Sequence, residues 1–390
     1  MSLSALGTPA LPVMAAVNAG ASPATGRGKN AAAPAGGPWI VSASQDLIWF
    51  HGSVLAGLFL LAVFAGAPRL TDATYVPGST AVLALLLWGV LFDGTHVWGT
   101  YARSYLTPDP TARLGLPGSW SLGIVLLGPV LAVLDGFLPQ RPSLLGHAGW
   151  LFQNFLLVAY LWAYWHLVRQ HYGFLVLYQR RARGRLPIDS RVDVALLWVG
   201  CLYPYLRFSL SPAYLRSGLP LVLPEPWLPQ LRLALDAAAA VTLGVLILAV
   251  ARRLRRVRPG PPELLLFIVI GFTALVFSVL DNLLAITAVL TIFHNLQYHR
   301  IVWQYERGRG RTPSGSLGRY LGFGVLLGAV WYGPRILGVA VAPAGVGRNV
   351  LLGLGWGVAL HHYFVDGRIW RVRRHAAVAP ALDAGAAGRA

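Results

Sequence analysis

Residues 283–311, LLAITAVLTIFHNLQYHRIVWQYERGRGR, carry in one stretch the features that recur along the chain. The segment opens on an apolar run, sets His294 and His299 in its second half, and closes on the arginines of Arg307–Arg311. An apolar run of about twenty residues has the length of a helix that crosses a bilayer. A basic cluster directly after it marks the end that stays in the cytoplasm.

Nine more segments of this kind flank it, near 46–67, 79–100, 119–138, 148–172, 192–212, 229–251, 263–279, 317–340 and 348–365. With 283–304 they make ten expected spans of an all-α transmembrane bundle. The seventh and eighth almost run together, with Asp281 and Asn282 as the expected turn, so nine spans is the competing count. Arginine clusters follow the fourth span (Arg180–Arg185), the sixth (Arg252–Arg258), the eighth (Arg307–Arg311) and the tenth (Arg368–Arg374). A weaker basic loop, with Arg103 and Arg113, follows the second. Even-numbered spans therefore end inside and both termini are expected in the cytoplasm. The opposite loops, 68–78, 139–147 and 341–347, carry few charges.

Composition agrees. Of 390 residues, 56% are hydrophobic and 12% charged, about half the charged share of a soluble domain. The net charge of +18 sits in the short loops between spans, where membrane orientation explains it better than nucleic-acid binding. One cysteine, Cys201, excludes an internal disulfide, a cysteine zinc site and an iron–sulfur cluster held by this chain alone. The Ala/Gly/Pro-rich residues 1–40 and 375–390 are expected to be disordered tails around one membrane domain, 41–374. The arginine-rich, lysine-poor usage suits a bacterial inner membrane protein.

There are ten histidines. His51 opens the first span and His96 closes the second. His166 and His171 close the fourth, His294 and His299 the eighth, His361 and His362 the tenth. Orientation read from arginine alone puts these eight within two or three helical turns of the inner boundary, whereas chance would divide them between faces. His147, in an outer loop, and His375, in the basic tail, read as ordinary solvated residues. Ionisable groups at membrane depth favour a functional explanation, and neutral imidazole is a common metal ligand. Eight ligands exceed what one zinc ion uses, so two metal ions, or one ion with a haem, suit the number. Residues five apart lie about 140° apart on a regular helix, so His166–His171 and His294–His299 each call for a wide turn or a helix end. Asp93, three residues before His96, and Asp366, four after His362, are placed to serve as carboxylate partners. Asn295 and Gln297 are supporting polar groups. Tyr164, Tyr172, Tyr298, Tyr363, Trp165 and Trp370 read as interfacial anchors.

Two spaced histidine pairs and an adjacent pair resemble the histidine boxes of membrane-bound non-haem di-iron enzymes, which include fatty acid desaturases, alkane and carotenoid hydroxylases and sterol oxidases. The resemblance rests on His166–His171, His294–His299 and His361–His362, with His51 and His96 completing the set. It implies two irons that use dioxygen to hydroxylate, desaturate or cleave a lipid or other hydrophobic substrate. Electrons would come from a separate ferredoxin or reductase. The alternatives are a haem-binding protein, since histidines on facing helices are common axial ligands, a metal- or proton-coupled transporter, and acyl transfer with histidine as a base. Zinc peptidase chemistry is excluded, because no HExxH run occurs and Glu225, Glu263 and Glu306 do not adjoin the histidines.

Overall fold

The computed structural model describes residues 37–66, 80–107, 118–137, 150–182, 190–216, 219, 225–312, 315–340, 345–370 and 378–387. The N-terminal stretch up to residue 36, His147, His375, Arg113 and most of the three outer loops lie outside them.

Among these residues the chain is helical and contains no strand. Helix α1 runs over Ala43–Gly66 and α2 over residues 80–103. They are followed by α3 (Gly123–Phe137), α4 (Trp150–Ala182), α5 (Ser190–Ser209) and α6 (Leu228–Leu254). Then come α7 (Pro261–Val279), α8 (Leu283–Gly308), α9 (Leu317–Ala340), α10 (Val346–Ile369) and a shorter α11 (Val378–Ala387). The first ten coincide with the ten apolar segments. The turn at Asp281–Asn282 separates α7 from α8, because the Asn282 side chain accepts from the N–H groups of Leu284 and Ala285, both at 3.0 Å, and so caps the new helix.

Five helical segments are long and apolar enough to cross a membrane: Ala43–Gly66, Ser119–Phe137, Leu151–Ala182, Glu225–Leu254 and Pro261–Val279. This makes the chain a membrane protein by length and composition. Of the helices below that measure, α2, α8 and α10 carry the polar residues described below, and those residues lower their hydropathy. Large apolar side chains also face outward. Leu233, Val241 and Val245 on α6 are 73%, 69% and 64% exposed, an arrangement suited to lipid and unfavourable in water.

Small residues bring the helices together, since lipid supplies no hydrophobic drive between them. A Cβ added to Gly353 on α10 would lie 2.6 Å from the Gly128 carbonyl carbon on α3, and one added to Gly357 would lie 2.1 Å from the Val125 oxygen. A Cβ on Gly94 of α2 would lie 2.1 Å from the Gly328 Cα on α9. At the helix ends, Arg253 of α6 reaches Asp193 of α5 at 2.7 Å and Glu263 of α7 at 3.3 Å. Gln179 of α4 also donates to Asp193, so one polar cluster ties four helices.

The last turns of α2, α4, α6, α8 and α10 all carry arginine. Arg207 near the end of α5 is the exception, and it is paired with Asp236 of α6 at 3.1 Å.

Contacts reach into both of the expected tails. Ile40, Val41 and Ser42 donate backbone N–H bonds to the Asp46 carboxylate at 2.6, 2.9 and 3.3 Å, so the ordered chain begins before residue 41. The expected C-terminal tail contains α11. Val378, Ala381 and Leu382, spaced as one helical face, are buried, and Gln304 of α8 donates to the Leu382 carbonyl. Arg181 of α4 pairs with Asp383. Alanine-rich composition concealed an amphipathic stripe.

Candidate metal centre

Four histidines converge where α2, α4, α8 and α10 meet. His96 Nε2 lies 2.9 Å from His362 Nε2 and 3.3 Å from His294 Nε2. The His166 ring centroid is 5.2 Å from those of both His294 and His362. Asp366 Oδ2 lies 3.9 Å from His166 Nε2 and 4.0 Å from His362 Nε2. Ligand atoms of His96, His166, His362 and Asp366 all fall within 4.8 Å of one another. All five residues are buried, none more than 8% exposed.

Each helix brings a second polar group one turn beyond its histidine. The pairs are His96 and Thr100, His166 and Gln170, His294 and Tyr298, and His362 and Asp366, each at i,i+4 and so on one helical face. Gln170 Nε2 donates to the His294 carbonyl at 2.8 Å, joining α4 to α8. Thr100 Oγ1 donates to Asp366 Oδ1 at 2.8 Å and lies 2.8 Å from His362 Nδ1. Tyr298 donates to the same Asp366 oxygen at 2.7 Å. A hydroxyl committed to a carboxylate accepts from an imidazole, so the His362 proton resides on Nδ1. That leaves the Nε2 lone pair turned into the cluster, as ligand histidines are usually held.

The donor set fits a metal ion. Among the described residues His166 Nε2, which faces Asp366 across 3.9 Å, is buried without a hydrogen-bond partner, an unfavourable state for a polar group shielded from water. Nitrogen ligands at 2.0–2.1 Å around a tetrahedral ion stand roughly 3.3–3.4 Å apart, close to the observed separations of 2.9 and 3.3 Å between Nε2 atoms. Imidazole with carboxylate and no thiolate suits first-row transition ions such as iron, zinc, copper or manganese.

Not every expected ligand arrives. His51 sits against two backbone carbonyls, Nδ1 at 2.9 Å from Asp46 and Nε2 at 3.2 Å from Pro261, so both ring nitrogens are turned to backbone oxygens and not to the cluster. His299 lies between Tyr320 OH at 2.9 Å and Thr95 Oγ1 at 3.0 Å. His361 lies between Tyr101 OH at 3.0 Å and Ser121 Oγ at 3.2 Å. The reason is angular. Helix α8 is regular through His294–His299 and α10 through His361–His362, so the second histidine of each pair turns toward another neighbour. His171 is intermediate. Its Nδ1 bonds to the Leu167 carbonyl at 3.1 Å, its Nε2 has no partner, and its ring centroid is 6.5 Å from that of His294.

Wide turns do occur, but at Leu47–His51 and Gly89–Asp93 rather than inside the spaced pairs. Asp93 closes the second and is engaged by Tyr332 of α9 and by Asn295 at 3.5 Å. It ties α2 to its neighbours, whereas Asp366 reaches the cluster. Gln297 donates to the Phe50 carbonyl at 2.8 Å, a helix-joining role. Tyr298 and Trp370, expected as interfacial anchors, lie against the site instead, with the Tyr298 ring centroid 4.2 Å from His96. Thr100, Gln170 and this use of Tyr298 are not among the residues that the sequence alone singles out. The repeated spacing of a histidine and a polar residue four positions later was the signal available.

No family model matches the chain, and neither does any curated protein or solved structure.

Proposed function

We propose that this chain is a membrane-embedded, non-haem metal oxidoreductase that uses dioxygen to hydroxylate, desaturate or cleave a lipid or similar hydrophobic substrate. The observation that carries this reading is the convergence of four imidazoles and one carboxylate at the buried meeting point of four helices. His96, His166, His294, His362 and Asp366 would hold one ion, with iron the proposed metal. His171 Nε2 and His294 Nδ1, both without partners, are where a second would be held. When bound, iron supplies one-electron chemistry and an open position for dioxygen.

This chain's own residues do the rest. Thr100 and Tyr298 orient Asp366, and Thr100 sets the His362 tautomer. The apolar bundle excludes water from the centre. A cavity of about 460 Å³ opens between α4 and α5, lined by Val158, Leu161, Trp162, Trp165, Leu202 and Leu206. Trp162 stands one turn before His166 on α4, so an apolar chain entering from the lipid would lie beside the helix that carries a ligand.

Ten spans with both termini in the cytoplasm of a bacterial inner membrane is the topology that accompanies this reading. The arginine-ended helices would then set the centre near the cytoplasmic face, where a separate ferredoxin or reductase supplies electrons. Haem is disfavoured, because the His96 ring centroid is 4.6 Å from that of His362 and 4.7 Å from that of His294, which leaves no slot for a macrocycle between them.

Metal analysis of the detergent-purified protein, with an optical spectrum of the same sample, tests the proposal. Bound iron without a Soret band supports it. A Soret band overturns it in favour of a haem protein, and a chain devoid of metal after both aerobic and reducing preparation overturns it in favour of a transporter.

A further inference from the structure

Tyr298 is more than a support for Asp366. Its hydroxyl donates to Asp366 Oδ1 at 2.7 Å, while the other oxygen of that carboxylate faces His166 and His362. Its ring lies edge-on to His96 at 4.2 Å between centroids. On the side away from the histidines, Trp370 Nε1 donates to the same hydroxyl at 3.4 Å, and the Trp370 ring stands 5.9 Å from both Tyr298 and Tyr305. An aromatic series thus leads from the buried centre toward the end of α8. Tyr298 and Tyr305 are buried and Trp370 is half-buried.

A phenol loses an electron readily only if its proton has somewhere to go, and a carboxylate at hydrogen-bond distance is such an acceptor. Arg103 shapes the series further. Its guanidinium carbon lies 3.6 Å over Trp370 and 4.1 Å over Tyr305. A fixed cation against those rings disfavours removal of an electron from either, which leaves Tyr298, beside a carboxylate, as the ring where oxidation settles.

Resting on the metal reading above, we propose that Tyr298 is a redox-active tyrosine serving the centre. It gives one electron to the oxidised metal and its phenolic proton to Asp366 Oδ1, leaving a neutral tyrosyl and a protonated carboxyl group. An electron from an external iron–sulfur or flavin donor then returns to the Tyr298 ring. The proton then moves back from Asp366, and the phenol is restored.

The test takes the full-length, metal-loaded protein in detergent, oxidises it with hexachloroiridate and records its electron paramagnetic resonance spectrum and metal content. The expected result is an organic radical signal that narrows when the protein is made with ring-deuterated tyrosine. In Tyr298→Phe protein brought to the same metal content as wild type, that signal is lost and re-reduction by a one-electron donor slows about tenfold, equivalent to ~1.4 kcal/mol. A signal that persists in a metal-replete Tyr298→Phe protein overturns the inference. A signal that does not narrow on deuteration also overturns it, and needs no substitution to be tolerated. A chain that binds no metal sinks the metal reading as well, whereas bound metal without a tyrosyl signal sinks this inference alone.

Discussion

His96 and His362 stand 266 positions apart in sequence, yet their Nε2 atoms are 2.9 Å apart inside the bundle. Two imidazole nitrogens at that separation can share only one proton. A third nitrogen, from His294, lies 3.3 Å from the same His96 atom, so no assignment of protons satisfies all three as well as a shared cation would. This contact divides the helix-borne histidines into those turned toward one another and those already bonded to protein oxygens.

Substitution should expose that division. His96→Ala and His362→Ala are expected to abolish stoichiometric metal binding, because each removes a converging nitrogen. His299→Ala and His361→Ala are expected to retain it, since both side chains bond to hydroxyls elsewhere. Elemental analysis of the four variants decides the matter, and equal loss in all four would refute the grouping.

Thr100→Val keeps the shape of the side chain and removes the hydroxyl that links His362 Nδ1 to Asp366. Loss of such an orienting group lowers metal affinity by about 10–100-fold. Competition with a chelator of known affinity measures the change, and an unaltered affinity would mean that this hydroxyl does not set the tautomer.

Gly357→Ala tests the close approach of α3 and α10. Its new Cβ would lie 2.1 Å from the Val125 oxygen, so the helices must separate one turn before His361 and His362. Overpacking of this kind costs about 1–3 kcal/mol. A lower thermal midpoint in detergent is expected, and metal content should fall with it. Gly367→Ala, where an added Cβ meets nothing within 4 Å, should leave both unchanged.

Arg253→Met leaves Asp193 and Glu263 facing each other without their cation. Breaking a buried pair in this way costs roughly 3–5 kcal/mol. Replacing all three residues by apolar ones of similar volume should recover much of the loss. If the single variant unfolds at the wild-type temperature, the cluster does not hold the helix ends together.

A reporter active only in the cytoplasm, fused after residue 390, should be functional under the proposed ten-span topology. A reporter active only outside the cytoplasm should be silent there. The reverse pattern would put the C-terminus outside, through an odd number of spans or an inverted bundle, and would overturn this topology.

Much of this architecture is legible in the chain alone, because its causes are local. Apolar runs, arginine-rich ends and the Asn282 cap depend on residues close together in sequence, so the ten helical segments follow from reading it. The faces are legible too. His96 with Thr100, His166 with Gln170, His294 with Tyr298 and His362 with Asp366 repeat one spacing that a helix turns into one surface. Which surfaces meet is a different question. It depends on glycines in distant segments, such as Gly353 against Gly128 and Gly94 against Gly328, that let particular backbones touch. It depends also on the wide turn at Gly89–Asp93, whose extra residue rotates the face that follows by about 100°. Only that packing separates His294 from His299 and His362 from His361, since a helix gives every side chain a direction and the neighbouring helices determine what it meets.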